Sequence, residues 1–286
     1  MTGSGPNLGI CFSDKQLYFA INDIETPGRL KRIGCFDFNF NVARAVRTQQ
    51  PDTFDGIYDL LGRLKDEYEF QQMRILTIPD TECWTTLPKL VYDKSDEREA
   101  YLKILMNGVN RQVLEPSWFE LSNQDYKFLV VRNKKTLAGY QRLTEYAPSA
   151  DFCSDFEVGS RWVTHSDARG SFLAISCFPN LLGISSYMLG KLRAATFIHF
   201  DLIEDLSYLW LHEAENLRWL KGLYDEILVY GVNTYEIINE LKAIWDPSAT
   251  IKRMDSLDVM QVSAEEKTYS FNLDSAFPAI MLALYP

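Results

Sequence analysis

Several kinds of chemistry have little to stand on in this chain. Histidine is scarce, three in 286 residues, and no H-E-x-x-H pair offers two imidazoles on one helix face to a catalytic zinc. The five cysteines, Cys11, Cys35, Cys83, Cys153 and Cys177, are odd in number and scattered, with no C-x-x-C spacing. That argues against a disulfide framework or a structural metal, and for reduced thiols inside apolar strands. No G-x-S-x-G nucleophile elbow occurs. Positive charge is also short: 29 Lys and Arg stand against 39 Asp and Glu, for a net charge of −10, whereas a nucleic-acid binder shows a basic stripe. The densest basic run, Arg132-Asn-Lys-Lys135, is flanked by apolar strand residues and reads as a turn. No apolar run reaches the roughly 18 residues of a membrane span, and Met1–Pro6 has no charged-plus-apolar leader pattern. A cytoplasmic protein is expected, with no nucleic-acid partner and no direct insertion into a membrane.

What is present is a repeated order of elements. Leu8–Ile21 alternates apolar and polar residues and breaks at Ser13-Asp14-Lys15, the signature of two strands joined by a tight turn. Thr26-Pro27-Gly28 marks a second turn before a third strand, Leu30–Phe38. Asn41–Pro51 is polar and reads as irregular. Phe54, Ile57, Leu60, Leu61, Leu64 and Tyr68 then share one helical face, with Asp52 and Thr53 as N-terminal caps, and a strand Met73–Pro79 follows. Residues 172–232 repeat the sequence of hairpin, third strand, helix and strand: Phe172–Phe178, Leu182–Met188, Ala194–Phe200, a helix over Ile203–Leu220, and Glu226–Val232. A helix Tyr235–Trp245, a short stretch Thr250–Met254 and an apolar helix Ala276–Leu284 complete it. The expected class is α/β with mixed sheets and helices on both faces. The expected division is a first unit over 1–165 and a second over 166–286.

The stretch from about 80 to 165 has no counterpart in the second unit and reads as an inserted subdomain. It holds Trp84–Val91, a helix opening at Ser95-Asp-Glu-Arg-Glu99 and continuing through Val109, a strand Tyr126–Val131, and a polar helix near Lys135–Tyr146.

Two tandem units of this kind, the first with an insertion after its fourth strand, resemble the actin-like ATPase superfamily, with its duplicated ribonuclease-H-like fold. Within it the chain resembles PilM-type pilus-assembly proteins most. The resemblance is carried by Ile75–Leu90, Asp125–Arg132, the turn Leu189-Gly-Lys-Leu192, Ile227–Val232 and Ala279–Leu284. It implies a cleft where nucleotide phosphates meet the first turn of each unit. There glycine lets backbone N–H groups approach the phosphates and an aspartate organises metal and water.

The departures bear on function. The first turn is Ile10-Cys-Phe-Ser-Asp-Lys15, with Cys11 at the superfamily's Asp position and Ser13 at a Gly position. The second is Ile175-Ser-Cys-Phe-Pro-Asn180, with Ser176 for Asp and Phe178 for Gly. On the adenosine side a Gly-Gly pair becomes Tyr230-Gly231-Val232. The expectation is therefore a scaffold without ATPase chemistry, without a cofactor, metal or catalytic residue. It would bind a partner protein or peptide, such as the cytoplasmic tail of a membrane-anchored protein, in a pilus or secretion type of assembly. The resemblance places the grip on that peptide in the insert, where Trp84, Tyr92, Tyr101, Trp118 and Phe119 lie. Aromatics are enriched at binding hot spots, and a strand edge can accept a peptide by β-augmentation; the plainer reading is that these rings fill the insert's own core. The alternative function is a nucleotide-binding ATPase holding ATP with Mg through Ser13, Asp14, Lys15, Asn180 and Gly231.

Other clusters read as structural. His199 and Asp201 share a strand face, with Ser185 or Ser207 imaginable as nucleophile, yet a strand-end histidine and a helix-capping aspartate account for them. Asp201, Glu204 and Asp205 compensate a helix dipole rather than hold the two metals of a nuclease.

Overall fold

The computed structural model describes residues 5–49, 51–78, 82–107, 110–120, 125–147, 149–265 and 268–285, without the side chains of residues 51–53, 82 and 111. The expected caps Asp52 and Thr53 and the segment 79–81 therefore lie outside the described parts, as does residue 109.

The first unit opens with β1 (Asn7–Ser13) and β2 (Gln16–Asn22), buried along their length, and β3 (Arg29–Asp37). Asp14 and Lys15 make the two-residue turn between Ser13 and Gln16, and Asp14 takes a positive φ of 40°, which a short polar side chain tolerates better than most. The stretch read as irregular is helical: α1 (Val42–Thr48) buries Val42, Ala43, Ala45 and Val46 behind an Asn41 cap. Four buried residues in so short a helix give too little periodicity to see in sequence. Next, α2 (Pro51–Tyr68) buries Phe54, Ile57, Leu60, Leu61 and Leu64 as expected, and β4 (Gln72–Leu76) follows.

The insert is a small sheet of its own, β5 (Glu82–Pro88), β6 (Leu114–Phe119) and β7 (Tyr126–Asn133), in the order β5-β7-β6, all antiparallel, with α3 (Lys89–Tyr92) and α4 (Ser95–Leu105) between its first two strands. Arg132-Asn-Lys-Lys135 is not a turn: Arg132 is buried at the end of β7, and Asn133 caps α5 (Lys134–Gln141) by accepting from Lys135 N. The chain has by then returned to the first unit, because α5 lies against α1 so closely that a Cβ on Gly139 would stand 1.9 Å from Val46 O. β8 (Ser149–Cys153) pairs in parallel with β4, so the separate sheet ends well short of 165. α6 (Phe156–Ser166) closes this half.

The second unit repeats the plan with β9 (Ser171–Phe178), β10 (Leu181–Met188), β11 (Lys191–His199), α7 (Leu206–Asn216), β12 (Glu226–Gly231), α8 (Thr234–Leu241) and β13 (Thr250–Arg253). Then come α9 (Leu257–Met260), β14 (Ser263–Ala264) and α10 (Leu273–Leu284). Its sheet runs β11-β10-β9-β12-β13; the first runs β14-β3-β2-β1-β4-β8. In both, three antiparallel strands precede two parallel ones, so the duplication is one of topology. The turn at Leu189-Gly190 has both residues at positive φ, 53° and 71°, as a two-residue hairpin requires.

The halves exchange their closing helices. From the second half, α10 lies on β1, where a Cβ on Gly9 would stand 2.0 Å from Ala279 O; Arg74 Nη1 donates to Leu282 O at 3.0 Å. From the first half, α6 lies on β10, with Tyr187 OH donating to Phe156 O and Gly159 against the Tyr187 ring. α10 is buried from Asp274 to Ala283 on every side, which explains why it reads as apolar all round. Each of Phe277, Ile280, Met281 and Leu282 contributes about 1.5–3 kcal/mol by leaving water. β14 adds a further tie, pairing in parallel with β3.

Candidate functional site

Two openings hold several of the residues singled out from sequence. The first lies where the two hairpin turns meet. A cavity of about 280 Å³ is lined by Ser13, Asp14, Asn41 and Arg47 from one half and by Phe178, Pro179, Asn180 and His199 from the other. So Ser13, Asp14 and Asn180 are brought together as expected. Lys15 does not line it, and neither does Gly231, whose φ of 110° and 2.2 Å spacing between a Cβ and Cys177 O mark it as a backbone-packing glycine. Asp14 is engaged locally: Asn41 Nδ2 donates to its carboxylate, and its carbonyl accepts from Ala43 N at 3.2 Å. The cavity falls just below the roughly 300–1,000 Å³ of ordinary small-ligand sites.

Behind this cavity, the positions where the resemblance implies metal-organising aspartates are closed. Cys11 is 3% exposed and its Sγ faces Ser275 O at 3.5 Å, at the start of α10. Burial pushes its thiol up to about 12. Ser176 is 2% exposed and its hydroxyl donates to Asp155 Oδ2 at 2.5 Å, just before α6. Each position is thus sealed by the opening of an exchanged helix. Asp274 is another buried acid here: its carboxylate accepts from Thr234 Oγ1 at 2.5 Å and from Ser275 N at 2.9 Å, and burial raises its pKa. These side chains do not fit the Mg-nucleotide arrangement that the resemblance implies.

The second opening is a wide cleft of about 1,500 Å³ between the first unit and its insert. All five residues of β8 line one wall and Ser117, Trp118 and Phe119 of β6 the other; Arg74, Arg132, Arg161 and Glu157 lie along it. The five aromatic candidates separate here. Trp118 is half-buried, edge-on to Tyr92 with centroids 5.1 Å apart, and lines the cleft. Phe119 lines it too but stacks on Phe128 and Phe156 at 5.4 and 5.8 Å. Trp84 packs on Phe156 at 5.0 Å and Tyr101 OH donates to Thr86 O at 3.1 Å; neither lines the cleft. The arginines were missed. Arg74, alone among apolar neighbours in Met73-Arg-Ile-Leu76, carried the signal, since an arginine in a buried strand needs a reason.

His199 is exposed at the strand end, not partly buried. Asp201 does not cap the helix; Leu202 precedes the first helical turn without a side-chain cap bond. Ser185 is buried, and Ser207 Oγ donates to Glu240 O at 2.7 Å. Cys83 is exposed, unlike Cys11, Cys153 and Cys177. Among the described residues no group of three His, Cys, Asp or Glu could hold a metal ion, and no helix is long and apolar enough to cross a membrane.

No protein-family model matches the chain, and no curated protein matches it by sequence. Solved structures do. The PilM–PilN type IV pilus biogenesis complex contains a chain superposing with a TM-score of 0.66 at 11% identity, over 99% of this chain and 100% of that one. A Bacteroides thetaiotaomicron protein with an actin-like ATPase fold and unknown function superposes at 0.59 with 16% identity, over 96% and 95%. This chain has the actin-like ATPase fold. The cytoplasmic domain of EpsL, an inner membrane component of the Vibrio cholerae type II secretion system, superposes at 0.52 with 9% identity, over 97% and 94%. At these identities the likeness is one of fold.

Proposed function

We propose that this chain is a non-catalytic actin-like scaffold that holds a partner protein within a pilus or secretion type of assembly. The observation that carries the reading is the closure of residues 11 and 176: where ATPase chemistry needs carboxylates facing a metal, a thiol and a hydroxyl are spent on the starts of α10 and α6. Support for the partner comes from the wide cleft with its half-buried tryptophan, and from structural likeness to a chain seen in complex with PilN and to a secretion-system component. The partner is expected to enter as an extended segment, such as the cytoplasmic tail of a membrane-anchored protein.

Calorimetric titration with ATP and Mg²⁺, beside a metal-free control, tests the absence of ATP chemistry; no heat at millimolar ligand is expected. Saturable micromolar binding would sink the reading. A partner recovered on the immobilised protein should be lost with Trp118→Ala, a better probe than Trp84→Ala, whose ring supports the core. The second reading, an atypical nucleotide site, is favoured by Ser13, Asp14 and Asn180 sharing a cavity with Arg47. It requires a Mg-ATP thermal shift that Asp14→Ala abolishes.

A further inference from the structure

The second sheet ends in β11, the outer strand of the order β11-β10-β9-β12-β13. Phe200 N donates to Asn180 O at 3.1 Å, just past the register pair Leu181–His199. Bonded and non-bonded pairs alternate along an antiparallel ladder. Ala194, Thr196 and Ile198 therefore turn their backbone to β10, while Ala195, Phe197 and His199 turn theirs away from the sheet. At the start of the strand the carbonyl of Leu192 is taken, accepting from Tyr126 OH of the insert. Beyond it, no strand among the described residues pairs with the outer side of β11. Edges are ordinarily guarded by shortness, charge or proline. β11 is nine residues long, and Ala194-Ala-Thr-Phe-Ile198 carries neither charge nor proline.

The two ends of this edge carry opposite charge. Lys191 and Arg193 stand at its start, and Asp201, Glu204 and Asp205 follow its end; all but Lys191 are exposed. Among the described residues, the ion pair these five make is that of Lys191 with Asp125, at 3.8 Å. A strand that is basic at one end and acidic at the other complements itself when run antiparallel, as an isologous two-fold contact requires. Exposed apolar side chains sit at the same ends. Met188 and Leu189, in the turn before β11, are 46% and 70% exposed, and Leu202, just after it, is 61% exposed. Leu189 also holds a φ of 53°, where such a turn ordinarily has Asn, Asp or Gly. A leucine is thus held out in water in a strained backbone position.

We propose that a second copy of this chain pairs with β11 along its open edge, antiparallel about a two-fold axis at Phe197, so that the two five-stranded sheets become one. In that register Ala195 of each copy faces His199 of the other, and Arg193 faces Asp201. Leu202 of one copy comes to the end of the strand where Met188 and Leu189 of the other are exposed. An axis at Thr196 would instead set Arg193 against His199, which offers no carboxylate. None of these residues lines the wide cleft, so the pairing does not depend on the scaffold reading; His199 is shared with the turn cavity.

Sedimentation velocity of the full chain over a concentration series should show a monomer–dimer equilibrium that weakens with salt, since exposed ion pairs are screened. Arg193→Glu sets like charges together at both ends and should weaken the dimer about tenfold or more. Asp201→Arg should do the same, and the two changes combined should restore it, a reciprocity that loss of folding cannot imitate. Disulfide trapping reads the register. In a Cys83→Ser background, which removes an exposed thiol, Phe197→Cys should give a covalent dimer under mild oxidation. Opposed bonded residues lie about 5.5 Å apart between Cα atoms, within disulfide reach. His199→Cys should not be trapped, because its two copies are offset by about 13 Å, four residues along the strand. A monomer at every concentration would overturn the proposal. So would a dimer that keeps its affinity in both charge variants, or one trapped through residue 199 and not through 197, since two copies would then meet elsewhere.

Discussion

A carboxylate placed at residue 11 would meet a carbonyl rather than water. Cys11 is buried against Ser275 O at 3.5 Å, so Cys11→Asp is expected to destabilise the fold by about 3 kcal/mol, the scale of an uncompensated buried charge, with no gain of ATP hydrolysis. Urea denaturation and a phosphate-release assay read the two halves of that statement. The thiols set an alkaline limit as well. Burial raises Cys11 and Cys153 from 9.0 to about 12, so above pH 9 the unfolded chain releases protons that the folded one retains. Stability present below pH 9 is then lost as pH climbs toward about 12. A urea midpoint that falls across that window, and falls less in Cys11→Ala, is the expected result. The residue pattern made the hairpins that carry Cys11 and Ser176 legible, because a hairpin announces its own turn. It did not show what seals them, since Ser275 lies 264 positions from Cys11 and no local spacing links the two.

At the scale of elements, short pieces escape notice. α1 has seven residues and β8 five; the alternation in Ser-Ala-Asp-Phe-Cys is too brief to separate from loop. Yet both position the sites. Asn41 caps α1 by accepting from Arg44 N at 2.7 Å and also donates to Asp14, so it joins the helix to the turn cavity. Asn41→Ala is expected to cost about 1 kcal/mol, read as a lowered melting temperature. Long elements were read better: the apolar face of α2 and the all-apolar α10 declare themselves through many residues each. The close approach of α10 to β1 gives a sharper prediction. Gly9→Val would drive a side chain into the backbone at Ala279 and Ala283, where a Cβ alone stands 2.0 and 2.7 Å away. A loss of about 2–3 kcal/mol is expected, measured by denaturant unfolding.

At the scale of the molecule, exchange of α6 and α10 makes the halves interdependent. One hydrophobic cluster contains Cys11 and Tyr18 from the first sheet, Phe172 and Tyr230 from the second, and the residues of both helices. The whole chain should therefore unfold in a single transition, with coincident midpoints from tryptophan fluorescence and circular dichroism. Residues 171–286 expressed alone should fail to fold, because α10 would lack the sheet of β1 and the second sheet would lack α6. A cooperative melt from that fragment would refute this interdependence. The topology of each half was visible in sequence because hairpins and crossovers are local; the exchange was not, because it depends on which sheet an apolar helix covers.

The distance between β1 and its cover also matters during synthesis. Asn7 Nδ2 donates to Ala283 O across 276 positions, so the face of β1 stays bare until α10 has been made. Contacts so remote in sequence form slowly, and an uncovered apolar face invites association with other chains. The nascent protein would need shelter on the ribosome until α10 emerges.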